Sequence, residues 1–200
     1  DNCLKVWNIE SGQCTKCIHA CPISTLLQLS NNRIAGSCRE LIYVWDIESG
    51  ELVKQMDQSA TVHCLVHISD QTFASSSTST HMIVIWDKLT LVCLRTLNTG
   101  NVSAGRFISI SDGLFAVCDR DNSTVTILDS STGHTMMHLS GHSQSVICIA
   151  KLSDEQFATG GSDHTIRIWH MQSSKLLEGH SDWVTCLLQV SENRLVSASN

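Results

Sequence analysis

Residues 141–169 read GHSQSVICIAKLSDEQFATGGSDHTIRIW. Apolar and polar residues alternate through this stretch, which is interrupted by Ser, Asp and Gly. Such a pattern is typical of short β-strands joined by tight turns. A similar pattern starts again in residues 179–200, GHSDWVTCLLQVSENRLVSASN. The two stretches together predict a repeated unit made of several strands.

The unit recurs along the whole chain at intervals of about 40 residues. One shared position carries serine: Ser30, Ser69, Ser111, Ser153 and Ser191. A second shared position ends a strand-like run: Trp7, Trp45, Trp86, Leu128 and Trp169. A unit of this length holds four strands of about five to six residues with their turns. Because one four-stranded sheet cannot bury both of its faces, the units are expected to stack radially around an axis.

The stretch at residues 141–169 resembles a repeat of the WD-repeat β-propeller family. Gly141-His142 opens it, Ser162-Asp163 lies in its turn, and Trp169 closes its third strand. The resemblance implies an all-β propeller of four-stranded antiparallel blades, with residues 1–200 as a single domain. It predicts five blades in this chain, one of them shared between the two ends, with 1–18 pairing as outer strands with 179–200. The other blades are expected at about 19–57, 58–99, 100–140 and 141–178. The alternative is an open fragment of a seven-bladed propeller.

The resemblance also implies a hydrogen-bond network inside a blade. It carries over onto His142, Thr159, Asp163 and Trp169, whose polar groups would satisfy one another when buried. The same pattern is found in four residues at the ends of the chain, provided that the ends meet: His180, Ser197, Asp1 and Trp7. The other blades are expected to have incomplete networks or none, because each lacks a suitable residue in the His or the hydroxyl position. The His position holds His19, Gln58 and Gly100, and the hydroxyl position holds Gly36, Ser75 and Val117.

One rim of the propeller is the predicted partner-binding surface. The residue five positions before the Trp position varies from unit to unit, as Asn2, Glu40, His81, Ser123 and His164. The same loops contain Arg39, Arg120, Asp182 and Trp183. Trp183 is the strongest candidate, since the neighbouring repeat has Ser145 there and a large amphipathic ring is a frequent interface anchor. The alternative is that these are solvated turn residues and that Trp183 packs against a neighbouring loop.

Charge and composition argue against several classes of partner. The net charge is −6, and the 13 Lys and Arg residues are scattered, so no nucleic-acid partner is expected. No apolar run approaches the ~20 residues of a membrane helix, so no membrane partner is expected either. Most of the cysteines lie in apolar, strand-like runs, which favours a reducing, intracellular setting, cytoplasmic or nuclear.

No metal, cofactor or small-molecule substrate is expected. The stretch QCTKCIHAC, residues 13–21, looks like a zinc motif, but Cys14 and His19 occupy ordinary repeat positions. His134, His138 and His142 are spaced by four, yet His142 belongs to the blade network. The sequence also lacks a G-x-S-x-G elbow and a phosphate-binding loop, so no catalytic residues are predicted.

These observations predict a non-enzymatic interaction scaffold that presents its rim to a protein or peptide, as part of a longer multidomain protein. The alternative is a substrate-recognition module of a ubiquitin ligase or a kinase, and an enzymatic or metal-binding propeller is less favoured. A receptor for phosphorylated peptides would need an Arg cluster around the channel, which the five variable rim positions lack.

Overall fold

The computed structural model describes residues 3–77, 79–111, 113–119, 122–170 and 173–200. These residues form β-strands joined by turns and bends, without a helix. Accordingly, none of the described segments is a helix that could cross a membrane. The strands are short, as the period-two pattern predicts.

Four sheets have four antiparallel strands each, and each lies inside one of the repeat ranges given above. The first contains β3 (Thr25–Gln28), β4 (Arg33–Cys38), β5 (Leu41–Asp46) and β6 (Leu52–Asp57). The second contains β7 (Cys64–His67), β8 (Thr72–Ser77), β9 (Met82–Asp87) and β10 (Cys93–Asn98). The third contains β11 (Ala104–Ser109), β12 (Leu114–Asp119), β13 (Val125–Asp129) and β14 (Thr135–Leu139). The fourth contains β15 (Val146–Lys151), β16 (Gln156–Gly161), β17 (Ile166–His170) and β18 (Ser173–Leu177).

The sheets are arranged as the blades of a β-propeller. Their first strands β3, β7, β11 and β15 contact one another in succession, and β15 contacts β19 (Val184–Ser191) of the last sheet. Apolar side chains fill the space between neighbouring blades. Phe73, Phe115 and Phe157 occupy the same position of the second strand in three blades, and each is fully buried. The core is therefore a series of layers between successive sheets rather than one central cluster.

Gly160 on β16 lies at a close contact between the fourth blade and the last sheet. A Cβ placed there would lie 2.5 Å from Cγ1 of Val184 and 2.8 Å from the sulfur of Cys148. The Cys148 thiol also donates a hydrogen bond to the carbonyl of Val184, at 3.3 Å. The fourth blade and the last sheet are thus interlocked through a position that has no room for a side chain.

The turn between the third and fourth strands requires a left-handed backbone. Gly12, Gly50 and Gly133 lie there with φ of 67°, 80° and 78°, as the repeat predicts for a hairpin glycine. In the second blade Leu91 occupies this position with φ of 55° and is buried in the core. Burial of this side chain offsets the steric cost of the left-handed conformation, roughly 1–2 kcal/mol.

The two ends of the chain form separate two-stranded sheets. β1 (Cys3–Trp7) pairs with β2 (Cys14–His19), and β19 pairs with β20 (Arg194–Ser199). This differs from the expected blade shared between 1–18 and 179–200, because β1 and β20 are not hydrogen-bonded to each other. Trp7 is consequently 56% exposed, whereas Trp45, Trp86 and Trp169 are buried. The alternative prediction, an open fragment of a propeller, describes this topology.

Candidate functional site

A cavity of about 700 Å³ lies where the first strands of four successive sheets begin. Its volume is in the range of ordinary ligand pockets, roughly 300–1,000 Å³. The wall contains the residue that immediately precedes each of these strands: His63, Ser103, Ser145 and Trp183. Three of these residues occupy one position of the repeat, eight residues before Ser111, Ser153 and Ser191, whereas His63 lies six residues before Ser69.

Trp183 supplies the large apolar surface of this cavity. Trp183 is 49% exposed to solvent. Its backbone N–H donates to the Asp182 carboxylate at 2.6 Å, and its carbonyl accepts from the N–H of Asn200 at 3.4 Å. The loop backbone is thus held at both peptide groups while the ring remains accessible. The equivalent residues are smaller and polar, so the fold does not require an aromatic ring at this position.

Arg106 lines the same cavity and was missed by the reasoning from sequence. It lies in β11, five residues before Ser111, where the other units have Thr25, Cys64, Cys148 and Cys186. A large cation at a position that is otherwise small and uncharged was the signal that could have identified it. Most first-strand residues contribute to the core, so the strand position by itself does not predict an accessible side chain.

The described rim residues other than Trp183 do not line this cavity. Arg39 and Glu40 line a second cavity of about 620 Å³, beside Cys21 and Cys38 in the first blade. His81 joins two blades, since its Nδ1 lies 3.2 Å from the carbonyl oxygen of Val102. The structure therefore separates the predicted rim set into different surfaces.

The turn geometry also gives some of these positions a structural role. His81, Ser123 and His164 have φ of 51°, 57° and 64°, and in the first blade Arg39 has φ of 55°. A left-handed backbone is a fold requirement at these turns, although the side-chain identity still varies. Of the remaining predicted residues, Asp1, Asn2 and Arg120 lie outside the described residues.

The fourth blade brings together all four members of its predicted network. Trp169 Nε1 donates to Thr159 Oγ1 at 2.7 Å, and the Thr159 hydroxyl lies 2.8 Å from His142 Nε2. His142 Nδ1 lies 2.9 Å from the Asp163 carboxylate, which also accepts from the backbone N–H of Ser143 at 2.9 Å. This chain of donors and acceptors fits a neutral His142 with its proton on Nδ1.

Burial sets the protonation of this network. It lowers the pKa of His142, although Asp163 opposes the shift through its hydrogen bond and its charge. Burial alone would raise the pKa of the Asp163 carboxyl, but hydrogen bonds from Thr165, Ser143 and His142 hold it below its usual value. The pair is thus a neutral imidazole donating to a carboxylate.

The protein is expected to lose stability as the pH falls from about 7.5 to about 5.5. Because the pKa of His142 is lower in the folded state, the unfolded chain binds this proton first as the pH passes below the ordinary histidine value. Chemical denaturation at both pH values would show a smaller loss for His142→Gln than for the native protein. His67, whose pKa burial also lowers, would contribute the remaining slope.

The exposed His134 provides the control. His134→Gln should leave the difference between the two pH values unchanged. An undiminished difference in His142→Gln would contradict a buried neutral imidazole in the fourth blade.

The other blades carry parts of this network. In the second blade Trp86 Nε1 donates to Ser75 Oγ at 2.8 Å. In the last sheet His180 Nε2 lies 2.7 Å from Ser197 Oγ, while Trp7 is exposed in a separate sheet. The third blade has the buried apolar pair Val117 and Leu128 in the Thr and Trp positions.

The stretch QCTKCIHAC forms β2 and the link that leads toward the first blade. Cys14, Cys17 and His19 are exposed, and Cys21 is half-buried. Among the described residues of the chain, no three His, Cys, Asp or Glu side chains are close enough together to hold a metal ion. The ammonium group of Lys16 donates to the carbonyl of Glu48, which holds this hairpin against the first blade.

Known proteins resemble this chain in sequence and in fold. Residues 133–170 match the family described as WD domain, G-beta repeat. The nuclear distribution protein PAC1 of Coccidioides posadasii is 30% identical over 57% of this chain and 29% of its own length. GID complex subunit 7 of Schizosaccharomyces pombe is 25% identical over 64% of this chain and 26% of its own length. This chain thus spans less than a third of either relative.

Solved structures share the fold. The crystal structure of RRP9 WD40 repeats has a TM-score of 0.76 at 23% identity, over 88% of this chain and 56% of that one. The crystal structure of the computationally designed Ika8 protein has a TM-score of 0.78 at 24% identity, over 100% of this chain and 63% of that one.

Proposed function

Because this chain is a WD-repeat protein that folds into propeller blades, we propose that it is a non-enzymatic interaction scaffold and that the cavity around Trp183 binds a segment of a partner protein. The observation that carries the proposal is the accessible Trp183 ring in a cavity built from four successive sheets. Aromatic side chains in concave surfaces dominate the binding energy of many protein interfaces.

The shape of the cavity suits an extended protein segment. Its walls come from rigid first strands, so the binding groups are held in fixed relation before a partner arrives. A preorganised surface loses little side-chain freedom on binding, which leaves more of the contact energy for affinity. A segment running across the cavity could contact side chains from several blades at once.

The described lining residues do not suggest catalysis. His63 and several serines are present, but none of these residues is Asp or Glu. A serine nucleophile usually requires a histidine base that is oriented by a third group, often a carboxylate. The relative named as a subunit of the GID complex is consistent with a role in protein assemblies. We also propose an intracellular location, cytoplasmic or nuclear, for this chain.

Trp183→Ala is expected to lower the recovery of specific partners about tenfold or more, since it removes the principal apolar contact. The measurement is affinity purification of the tagged protein from cell extract with quantitative mass spectrometry, beside a thermal unfolding curve. Unfolding should change little because half of the residue is exposed in the free protein.

Leu89→Ala is the matched control. Leu89 is an exposed apolar residue in the turn after β9, at the opposite end of the strands from the cavity. Its substitution should preserve the partners that Trp183→Ala loses. Equal recovery from the two variants, or a large loss of stability in Trp183→Ala, would overturn the role given to Trp183.

A further inference from the structure

Arg106 introduces a positive charge into a cavity whose other described lining residues include no Lys, Asp or Glu. Its side chain is exposed. Among the described residues, the guanidinium group of Arg106 forms neither a hydrogen bond nor an ion pair with a protein group. The guanidinium therefore keeps its donors available for a ligand.

The backbone beside Arg106 is irregular and is bonded to a neighbouring blade. β11 contains a bulge, because the strand advances from Ala104 to Phe107 while its partner advances only from Asp119 to Val117. The carbonyl of Gly105 accepts a hydrogen bond from the buried Ser76 hydroxyl of the second blade, at 2.9 Å. β-Bulges commonly re-aim side chains at functional sites. Here the bulge is fixed by a neighbouring blade.

The thiols on which the charge of Arg106 acts do not neutralise that charge. The positive charge of Arg106 acts to lower the pKa of three thiols: Cys64, Cys118 and Cys148. Burial raises the pKa of all three, that of Cys148 to about 11, so that they remain neutral thiols at physiological pH. Arg39 also lines a cavity, but there it lies beside the acidic Glu40, whereas the described lining of the Arg106 cavity has no acidic residue.

Several residues with hydroxyl groups line the cavity that contains this cation. Ser79, Ser103, Ser145, Ser162 and Thr185 line the same cavity as Arg106. Guanidinium groups bind carboxylates and phosphates in a bidentate manner, and hydroxyl groups can donate to the remaining oxygen atoms. This combination is chemically suited to an oxyanion and poorly suited to a cation.

We propose that Arg106 and the surrounding hydroxyl groups form an anion subsite, which takes a phosphorylated or acidic side chain of the protein segment whose apolar part contacts Trp183. The inference rests on the proposed interaction function and specifies its ligand. Arg106 and Trp183 line one cavity, so a single short segment can contact both. The subsite lies inside a first strand, which explains why the variable rim positions show no arginine cluster.

The test measures binding of the whole chain to four pools of short fluorescent peptides. Each pool has one fixed central residue, phosphoserine, Glu, Ser or Lys, and mixed residues around it. At least one anionic pool is expected to bind about tenfold or more tightly than the Ser and Lys pools. Arg106→Gln should remove this preference. Preference for the phosphoserine pool alone would identify a phosphate ligand, and equal preference for the Glu pool would identify a general acidic segment.

Arg95→Gln is the matched control, because Arg95 is an exposed arginine on the outer strand β10. It should retain the native preference, and thermal unfolding should show that both arginine variants are folded. Equal binding of all four pools, or an equal loss in the two variants, would overturn the anion subsite. A single-stranded RNA oligomer that binds through Arg106 more tightly than either anionic pool would also overturn it.

Trp183→Ala separates this inference from the broader function. If peptides bind without regard to charge and Trp183→Ala abolishes that binding, the interaction surface stands and the anion subsite fails. If the native protein binds no pool better than Trp183→Ala does, both fail.

Discussion

Thr159→Val is expected to lower the free energy of unfolding by about 3 kcal/mol, since it leaves two buried polar groups without partners at about 1–3 kcal/mol each. The hydroxyl of Thr159 accepts a hydrogen bond from Trp169 Nε1 and forms a second hydrogen bond with His142 Nε2. All three residues are buried. Valine has the same shape as threonine and suits a strand, so neither packing nor backbone preference should contribute much. Denaturant unfolding monitored by tryptophan fluorescence gives the measurement.

Thr126→Val makes the same substitution at another buried threonine. The hydroxyl of Thr126 is bonded to His138, which is exposed and can form a hydrogen bond with water instead. Its cost is expected to be below about 1 kcal/mol. A cost for Thr159→Val no greater than for Thr126→Val would show that the network does not stabilise the fourth blade.

Gly160→Ala is expected to destabilise the protein by about 2–3 kcal/mol, the upper part of the range for overpacked cores. The new methyl group would overlap Val184, whose branched side chain sits close to its own backbone and has little freedom to move. The φ angle of Gly160 is not in the left-handed region, so the penalty comes from contact between sheets. Thermal and denaturant unfolding would measure it.

Val184→Ala tests the origin of this penalty. Alone it should destabilise the protein by creating a cavity, but in combination with Gly160→Ala it makes room for the new methyl group. The double variant is therefore expected to be more stable than the sum of the two single effects predicts, by about 1 kcal/mol or more. Additive effects would indicate that the penalty arises elsewhere than at this junction.

The repeat could be predicted from sequence because each unit carries the same local signals. Alternating strands recur in every unit, a turn glycine and a closing tryptophan recur in most of them, and the four-stranded sheets follow from these signals. The predicted network could be placed on His142, Thr159, Asp163 and Trp169 for the same reason. In the third blade the Thr and Trp positions change together to Val117 and Leu128, which avoids leaving one polar group unpaired.

Sequence reasoning was less successful where a property depends on how blades meet. Trp183 could be singled out, because it differs from its equivalent Ser145. Arg106 differs from its equivalents in the same way, but its place in a shared cavity depends on how neighbouring blades meet. Leu91 likewise shows no local sign that it occupies a left-handed turn position, since its buried side chain stabilises a conformation that a leucine rarely adopts.

The cavity is lined by the residue that precedes the first strand in each of four successive sheets. His63, Ser103, Ser145 and Trp183 are separated by about 40 residues in sequence but line one space. Each can be exchanged without altering the layers of the core, since those layers are built from other positions. If the cavity binds a partner as proposed, its specificity could change through independent substitutions at these four residues. Each substitution would alter one part of the cavity wall. The repeat supplies the frame, and under the proposed function the choice of ligand would reside in the residues by which its copies have diverged.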